Sequence, residues 1–374
     1  MLTFYFLVGI LYVLMMGTLA YLWRSEAKGD KKKQGNYSVT IILPFRNEAH
    51  HLPTILDSVF RLDYERFELI LVDDGSDDGS WELAKNILAA CVKNNFSFRL
   101  IKSEGAGKKV ALNTGISQAK GEIILTTDAD CRLPENWLHV MTAEFSEEGV
   151  HLVAGPVLTQ NGTGFFDHFQ QIEWASILLL SKASVDLGNP LMCSGANLAF
   201  RKSAFEAVEG YQGNFEHLSG DDEFLLKKVV RKYGAKAVFY QHTPDAVVVT
   251  VPQRSLKSLF SQRFRWASKW KMHKSWVHAL SALVPVLFQL IFLSAVFLVG
   301  LGYGGLALLS LLLLSKILGE WYALSTVLDF YGRKISFWSF FKTSCIHPFF
   351  VLGVVIGVLI GKFDWKGRNS SFKP

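Results

Sequence analysis

The sequence predicts an α/β domain, its sheet mostly parallel and Rossmann-like, set between membrane-spanning helices at the two ends of the chain. Three observations predict it. Residues 2 to 23 are apolar, with no charged side chain; residues 37 to 253 alternate β-rich apolar runs with helix-period stretches; and from Trp276 onward the chain of 374 residues turns apolar again.

The first segment, "LTFYFLVGILYVLMMGTLAYLW", meets the roughly 20 residues that one crossing needs. It has no basic side chain ahead of its core, which a secretory signal peptide would carry. Arg24, Lys28, Lys31, Lys32 and Lys33 follow it, so positive-inside counting puts the N-terminus outside and the next domain in the cytoplasm. In that domain, 37–253, the strand candidates are "YSVTIILPF", "FELILVDD", "FRLIKS", "EIILTTDAD" and "HLVAGPVLT". Helices are expected over Glu48 to Phe60, Ser80 to Cys91, Lys108 to Ala119 and Pro134 to Phe145, each after a turn or cap signal. From Phe165, "FFDHFQQIEWASILLLSKAS" has apolar residues at helical spacing, as a core helix or a helix on the membrane surface would. Residues 254–275 read as an amphipathic interfacial helix. Spans are expected near 277–298, 301–319 and 342–361, within a C-terminal membrane region 276–361, followed by a basic tail, 362–374. Four crossings would leave that tail outside, against its charge, so one segment is expected to be re-entrant or interfacial. Lys316 and Glu320 at the end of one span, and His347 with Pro348 near the start of the last, read as helix-end anchors in preference to a buried pair.

Net charge is +6, but no zinc spacing, aromatic RNA-binding motif or basic helix-turn-helix accompanies it. It is read as topology and lipid-surface charge, with no nucleic-acid partner. Cys91, Cys131, Cys193 and Cys345 form no metal or redox spacing, which fits a reducing compartment.

Three acidic clusters carry the chemistry. In "LVDDGSDDGS", Asp74, Ser76, Asp78 and Gly79 match the start of a calcium loop, but its twelfth position is Lys85 and a strand, not a helix, leads in. The plain alternative is an Asp/Gly turn into a helix. Sheets of this kind bind ligands beyond the carboxyl ends of their strands, where this cluster and "TTDADC" both fall. Asp128 and Asp130 are spaced so that both carboxylates can face one ion, a hard-oxygen pair suited to Mg²⁺ or Mn²⁺ held mainly through substrate phosphates. "SGDDEFL", from Ser219, opens a helix with three acids, more than capping requires, and crowded carboxylates make a usable base. "SQRFRWASKW", Ser261 to Trp270, alternates Arg and Trp in front of a span, as an interfacial anchor does.

In this order "IILPFRNEA", "LVDDGSDDGS", "GKKVALNTGI", "TTDAD", "SGANLAFRKSAF", "GDDEFL" and "QRFRW", from Ile41 to Trp266, resemble the family-2 glycosyltransferases, in particular the membrane-anchored branch of cellulose and hyaluronan synthases and ceramide glucosyltransferases. The resemblance implies a GT-A domain that binds a nucleoside diphosphate sugar. Pro44, Glu48, Asp73 and Asp74 would form the nucleoside pocket, with Asp74 accepting from the uracil imide, and Lys108 would approach the nucleotide. Asp128 and Asp130 would be the DxD pair, with Asp130 the metal ligand of first choice. Asp222 aligns with the catalytic base and Glu223 is the second choice; Asp221 stands where the family has Glu, a departure. Gln262, Arg265 and Trp266 match the Q-x-x-R-W signature, with Arg265 meeting the diphosphate and Trp266 stacking near the acceptor.

The expected activity is inverting, metal-dependent transfer from a UDP-sugar to a membrane-associated acceptor, by an integral inner-membrane protein with a cytoplasmic catalytic domain. The few C-terminal spans favour a lipid acceptor over a processive polysaccharide synthase. A non-catalytic scaffold or sensor would have no need of the base.

Overall fold

The computed structural model describes residues 2–25, 37–91, 96–215, 220–268, 276–303, 305–360, 362–365 and 368–371. Lys28, Lys31, Lys32, Lys33, Ser219, Trp270 and parts of the tail, Lys366, Gly367 and Phe372 to Pro374, lie outside them. The chain forms two compact units. One is Glu26–Gln160 with Leu180–Val251; the other is Met1–Ser25, Asn161–Leu179 and Pro252–Pro374.

In the first unit the strands are β1 (Val39–Phe45), β2 (Phe67–Asp73), β3 (Phe96–Lys102), β4 (Ile123–Thr126), β5 (Cys131–Arg132), β6 (Leu152–Ala154), β7 (Val157–Thr159), β8 (Leu198–Arg201), β9 (Val238–Tyr240) and β10 (Val248–Thr250). The larger sheet has the order β3-β2-β1-β4-β8-β6-β9. β1 pairs in parallel with β2 and β4, and β2 with β3; β8 alone runs against its neighbours β4 and β6. Every residue of β1 and β2 is buried, as central strands covered on both faces must be, so their apolar runs do not alternate. A smaller sheet, β5-β10-β7, carries the second half of "HLVAGPVLT". The single strand expected there is two, broken at Gly155-Pro156, where Pro156 has no N–H to offer a ladder.

The helices of this unit are α2 (Leu52–Phe60), α3 (Ser80–Ala89), α4 (Lys108–Gln118), α5 (Trp137–Thr142), the last residues of α6 (Phe165–Asp186), α7 (Lys202–Ala207) and α8 (Asp221–Tyr233). α2 begins at Leu52 instead of Glu48 because Pro53 fits only a first turn; an earlier start would need its missing N–H. It buries Leu52, Ile55, Leu56 and Val59, one helical stripe. α5 begins after a turn closed by Trp137 N–H to the Pro134 carbonyl, and is shorter than expected.

The second unit holds α1 (Leu2–Arg24), most of α6, α9 (Leu256–Ala267), α10 (Trp276–Gly300), α11 (Leu306–Phe330), α12 (Phe337–Ile360) and a hairpin of β11 (Lys362–Trp365) with β12 (Arg368–Ser371). Among the described residues four helices are long and apolar enough to cross a membrane: Thr3–Arg24, Ala279–Gly300, Leu309–Phe330 and Phe337–Leu359. The third span is displaced from the expected 301–319. Lys316 and Glu320 sit in the middle of α11, almost fully buried and paired, which corrects the helix-end anchor reading. Tyr12 of α1 and Ser344 of α12 both donate to the Glu320 carboxylate. α1 lies close on α11, where Gly9 faces Ser315 and Gly319 faces Met16. His347 and Pro348 are likewise mid-helix, in α12. α6 is no membrane-span candidate and buries most of its side chains, as a core helix does.

Candidate active site

β1, β2 and β4 run the same way, so the loops after them emerge at one edge of the sheet, and the antiparallel β8 begins there. Two of these loops are laced together by the acids of the first cluster. Asp77 Oδ1 accepts from the Asn47 amide (2.8 Å) and Asn47 Oδ1 accepts from Asp77 N–H (2.9 Å). Asp78 Oδ2 accepts from Ala49 N–H (3.0 Å), while its Oδ1 accepts from the backbone and hydroxyl of Ser80. The helix-capping position itself is Gly79, at φ +85°. The second acid pair therefore ties loop to loop as well as closing the first turn of α3. Burial opposes ionisation of Asp78, but the bonds from Ser80 and Ala49 outweigh it and lower its pKa.

The first acid pair points inward. Asp73 is buried and its Oδ1 accepts from Ser76 N–H (3.0 Å), closing the turn. Asp74, also buried, accepts from Gly107 N–H (2.7 Å). Gly107, at φ +110°, stands immediately before Lys108, the first residue of α4, and so links the β2 loop to that lysine. Pro44 is buried at the end of β1, and Glu48 holds His51 (2.6 Å).

The remaining charges converge around Gly195. Lys108 Nζ lies 2.6 Å from Asp128 and 3.7 Å from Asp221. Burial alone would lower the pKa of that ammonium; Asp128, Asp221 and Asp222 reverse the effect and raise it. Asp222 is fixed by two backbone donors, Glu223 N–H to Oδ1 (2.8 Å) and Gly195 N–H to Oδ2 (3.2 Å). A Cβ on Gly195 would stand 3.0 Å from Asp221 and 3.6 Å from the Lys108 ammonium, so a glycine lets the backbone into the cluster. Thr126, the last residue of β4, donates to the Gly195 carbonyl (2.7 Å). Asp130 is half-buried beside Asp128, and its carboxyl is pushed up to about 6 by burial first, then by Asp128 and Glu48.

Asp128 and Asp130 are neighbouring hard oxygen donors, suited to Mg²⁺ or Mn²⁺. Among the described residues no three His, Cys, Asp or Glu side chains form a ready cage. A cation held mainly through phosphates needs only one or two protein carboxylates, so the residues fit such an ion.

Several supporting residues escaped the sequence reading. Lys109, buried, donates to the Asn214 carbonyl (2.7 Å), and the Asn214 amide donates to the Gly220 carbonyl (3.2 Å), just before Asp221. Asn197 is fully buried, accepting from the Trp137 indole (2.9 Å) and donating to Pro156 and Ala246. Tyr211, buried and facing Asp221 and Asp222, has its phenol pKa raised. Asn197 and Lys109 stand inside "SGANLAF" and "GKKVALNTGI"; Asn214, Trp137 and Tyr211 carry no local signal.

Gln262, Arg265 and Trp266 lie on α9, in the second unit, where Ser255 and Ser258 form a capping box. Gln262 accepts from Arg263 (2.5 Å). Arg263, which the motif does not include, is buried and ion-paired to Glu173 of α6 (3.1 Å). Its guanidinium lies over the Trp266 ring at 4.4 Å, and Trp174 meets the same ring edge-on at 5.2 Å. Trp266 is thus held on two sides.

Residues 40–209 match the model of the family described as Glycosyl transferase family 2. The poly-beta-1,6-N-acetyl-D-glucosamine synthase of Staphylococcus aureus is 29% identical over 266 residues, 70% of this chain and 61% of that protein. Its namesake in Staphylococcus epidermidis is 28% identical over 234 residues, 61% of this chain and 53% of that one. The chain therefore spans about three fifths of the length of the first of these relatives. A mannosyltransferase from Pyrobaculum calidifontis, solved with GDP-Man and Mn²⁺, matches with a TM-score of 0.56 at 19% identity, over 95% of this chain and 99% of that one. At that identity the likeness speaks for the fold alone, a GT-A fold.

Proposed function

We propose, from the premise that residues 40–209 are a glycosyl transferase family 2 domain, that this protein transfers a hexose from a UDP-sugar to an acceptor held at the membrane, with inversion. One observation carries the reading: Asp128, Lys108, Asp221 and Asp222 come together around Gly195 at the carboxyl edge of a parallel sheet.

The nucleoside would lie against Pro44, Glu48, Asp73 and Asp74, and the diphosphate near Lys108. Asp128 and Asp130 would hold Mg²⁺ or Mn²⁺, which when bound supplies positive charge opposite the diphosphate. Asp222, its carboxylate oriented by two backbone N–H groups, takes the proton of the acceptor hydroxyl as that oxygen attacks the anomeric carbon from the face opposite the diphosphate. The C1–O bond to the diphosphate breaks, the electron pair leaves with it, and one displacement inverts the centre. By the Q-x-x-R-W resemblance that Gln262, Arg265 and Trp266 carry, Arg265 would meet the diphosphate and Trp266 would stack near the acceptor.

Two acceptor classes have support. Among the described residues four helices are candidate spans, and a membrane region of that size favours a single lipid acceptor. The staphylococcal relatives are named as polysaccharide synthases, which favours a growing saccharide. Membranes containing the protein, incubated with labelled UDP-sugars, separate them: label in a short glycolipid supports the first, and label in a long polymer the second. No metal-dependent transfer or donor hydrolysis with any donor contradicts the enzyme reading.

A further inference from the structure

α9 carries its motif on one face and a pair of aromatic knobs on the other. At 100° per residue, Phe260 and Phe264 share one side of the helix, and Gln262 and Arg265 fall roughly opposite. The knobs enter α12 where it has no side chains. A Cβ on Gly353 would stand 2.9 Å from the Phe260 ring, and a Cβ on Gly357 2.3 Å from the Phe264 ring, distances that real atoms do not reach. Phe350, one turn earlier on α12, packs on Phe260 at 4.7 Å and edge-on to Phe169 of α6 at 5.1 Å. Leu259 of α9 is buried in the same cluster, with Val354 against it. Glycines spaced four apart are common where helices approach closely, and here the groove they make is filled by named side chains of one helix.

We propose that Gly353 and Gly357 are positioning residues for the transfer reaction: they seat α9 on the last membrane span and so fix the roll and depth at which Gln262, Arg265 and Trp266 are presented. The inference rests on the proposed function for what those three residues do. The ion pair of Arg263 with Glu173 and the Trp174–Trp266 contact hold α9 from the α6 side; the glycine seat holds it from the α12 side. A methyl group at Gly357 forces Phe264 out and turns or lifts the helix.

The test uses the full chain in membranes. Gly357→Ala should lower transfer from the donor the wild type uses by at least about tenfold, since misplacement of about 1 Å can cost a hundredfold. UMP affinity should stay within about twofold, because nothing at the nucleoside pocket changes. Adding Phe264→Leu makes room for the methyl and should restore at least half of the loss on a logarithmic scale. Gly17→Ala, on α1 with nothing within 4 Å of its Cβ position, is the control and should transfer normally. Full activity in Gly357→Ala, or a double variant no better than the single one, overturns the proposal. The same four proteins are compared by thermal midpoint in detergent, which reads the seat without activity: recovery in the double variant supports it, and additive losses overturn it. A wild type that moves no sugar would count against the proposed function, and the thermal comparison would then decide the seat alone.

Discussion

Charged groups are buried in both units, but to opposite ends. At the edge of the sheet Asp128 and Asp221 lie around Lys108, Glu48 pairs with His51, and the Asp130 carboxyl is displaced upward, by burial first and then by Asp128 and Glu48. In the helical unit the buried charges are matched: Lys316 with Glu320, Arg263 with Glu173. The first arrangement gathers several carboxylates around one ammonium; the second pairs its charges one to one and acts as a fastener. Burial of charge by itself therefore does not mark a site. The proposed site rests instead on where its acids gather, around one lysine at the carboxyl edge of the sheet.

Breaking a fastener should cost more stability than disturbing the site. Lys316→Met leaves Glu320 buried without its cation and should destabilise the protein by about 3 to 5 kcal/mol, whereas Lys316→Met with Glu320→Leu should return close to the wild type. Thermal unfolding in detergent measures both, and a double variant as unstable as the single one would argue against a simple pair. Lys109→Met removes a charged donor from the Asn214 carbonyl. It should cost about 1.5 to 3 kcal/mol and slow transfer, with UMP affinity unchanged, because the relay leads to Asp221 and not to the nucleoside.

The two acid pairs of "LVDDGSDDGS" sharpen the comparison within one loop. Asp74→Ala should weaken UDP binding at least about tenfold, equivalent to about 1.4 kcal/mol. Asp78→Ala should cost about 1 kcal/mol of stability and leave UDP binding nearly intact. Equal losses of UDP affinity by calorimetry would refute the division. The smallest effect belongs to Glu68, which accepts from Thr40, Lys120 N–H and Arg99. Burial raises its pKa, but those three partners win and the net shift is downward. A depressed carboxylate contributes stability above its unfolded pKa and loses it as pH falls through the folded value. Glu68→Gln should therefore flatten the fall in stability below about pH 4.5, by less than about 1 kcal/mol; an unchanged acid slope would dismiss the effect.

What was legible in the sequence was local. β1 and β2 were readable because a strand buried on both faces is a continuous apolar run, and the loops after them because Asp, Gly and Asn announce turns. The helix starts were blurred where one residue decides, as Pro53 does for α2. The third span was misplaced because a hydropathy reading penalises Lys316 and Glu320 separately, and their pairing is invisible until the helix forms. The holding residues were hidden by distance: Lys109 meets Asn214 across 105 residues, and Trp137 meets Asn197 across 60. No local pattern reports such a partner. Arg263 fills an unspecified position of the Q-x-x-R-W motif, so the motif carries no sign of its ion pair with Glu173.

The central claim is that Asp222 is the base of a transferase whose donor site is separately built. Asp222→Asn keeps the shape of the side chain and an oxygen for one of the two backbone donors, Glu223 N–H or Gly195 N–H, but removes the basic carboxylate. Transfer from labelled UDP-sugar should fall by about 10² to 10⁴-fold, while UDP affinity, measured on the same preparation, stays within about threefold of the wild type. Transfer retained at near wild-type rate, or lost only in step with UDP binding, would contradict the account.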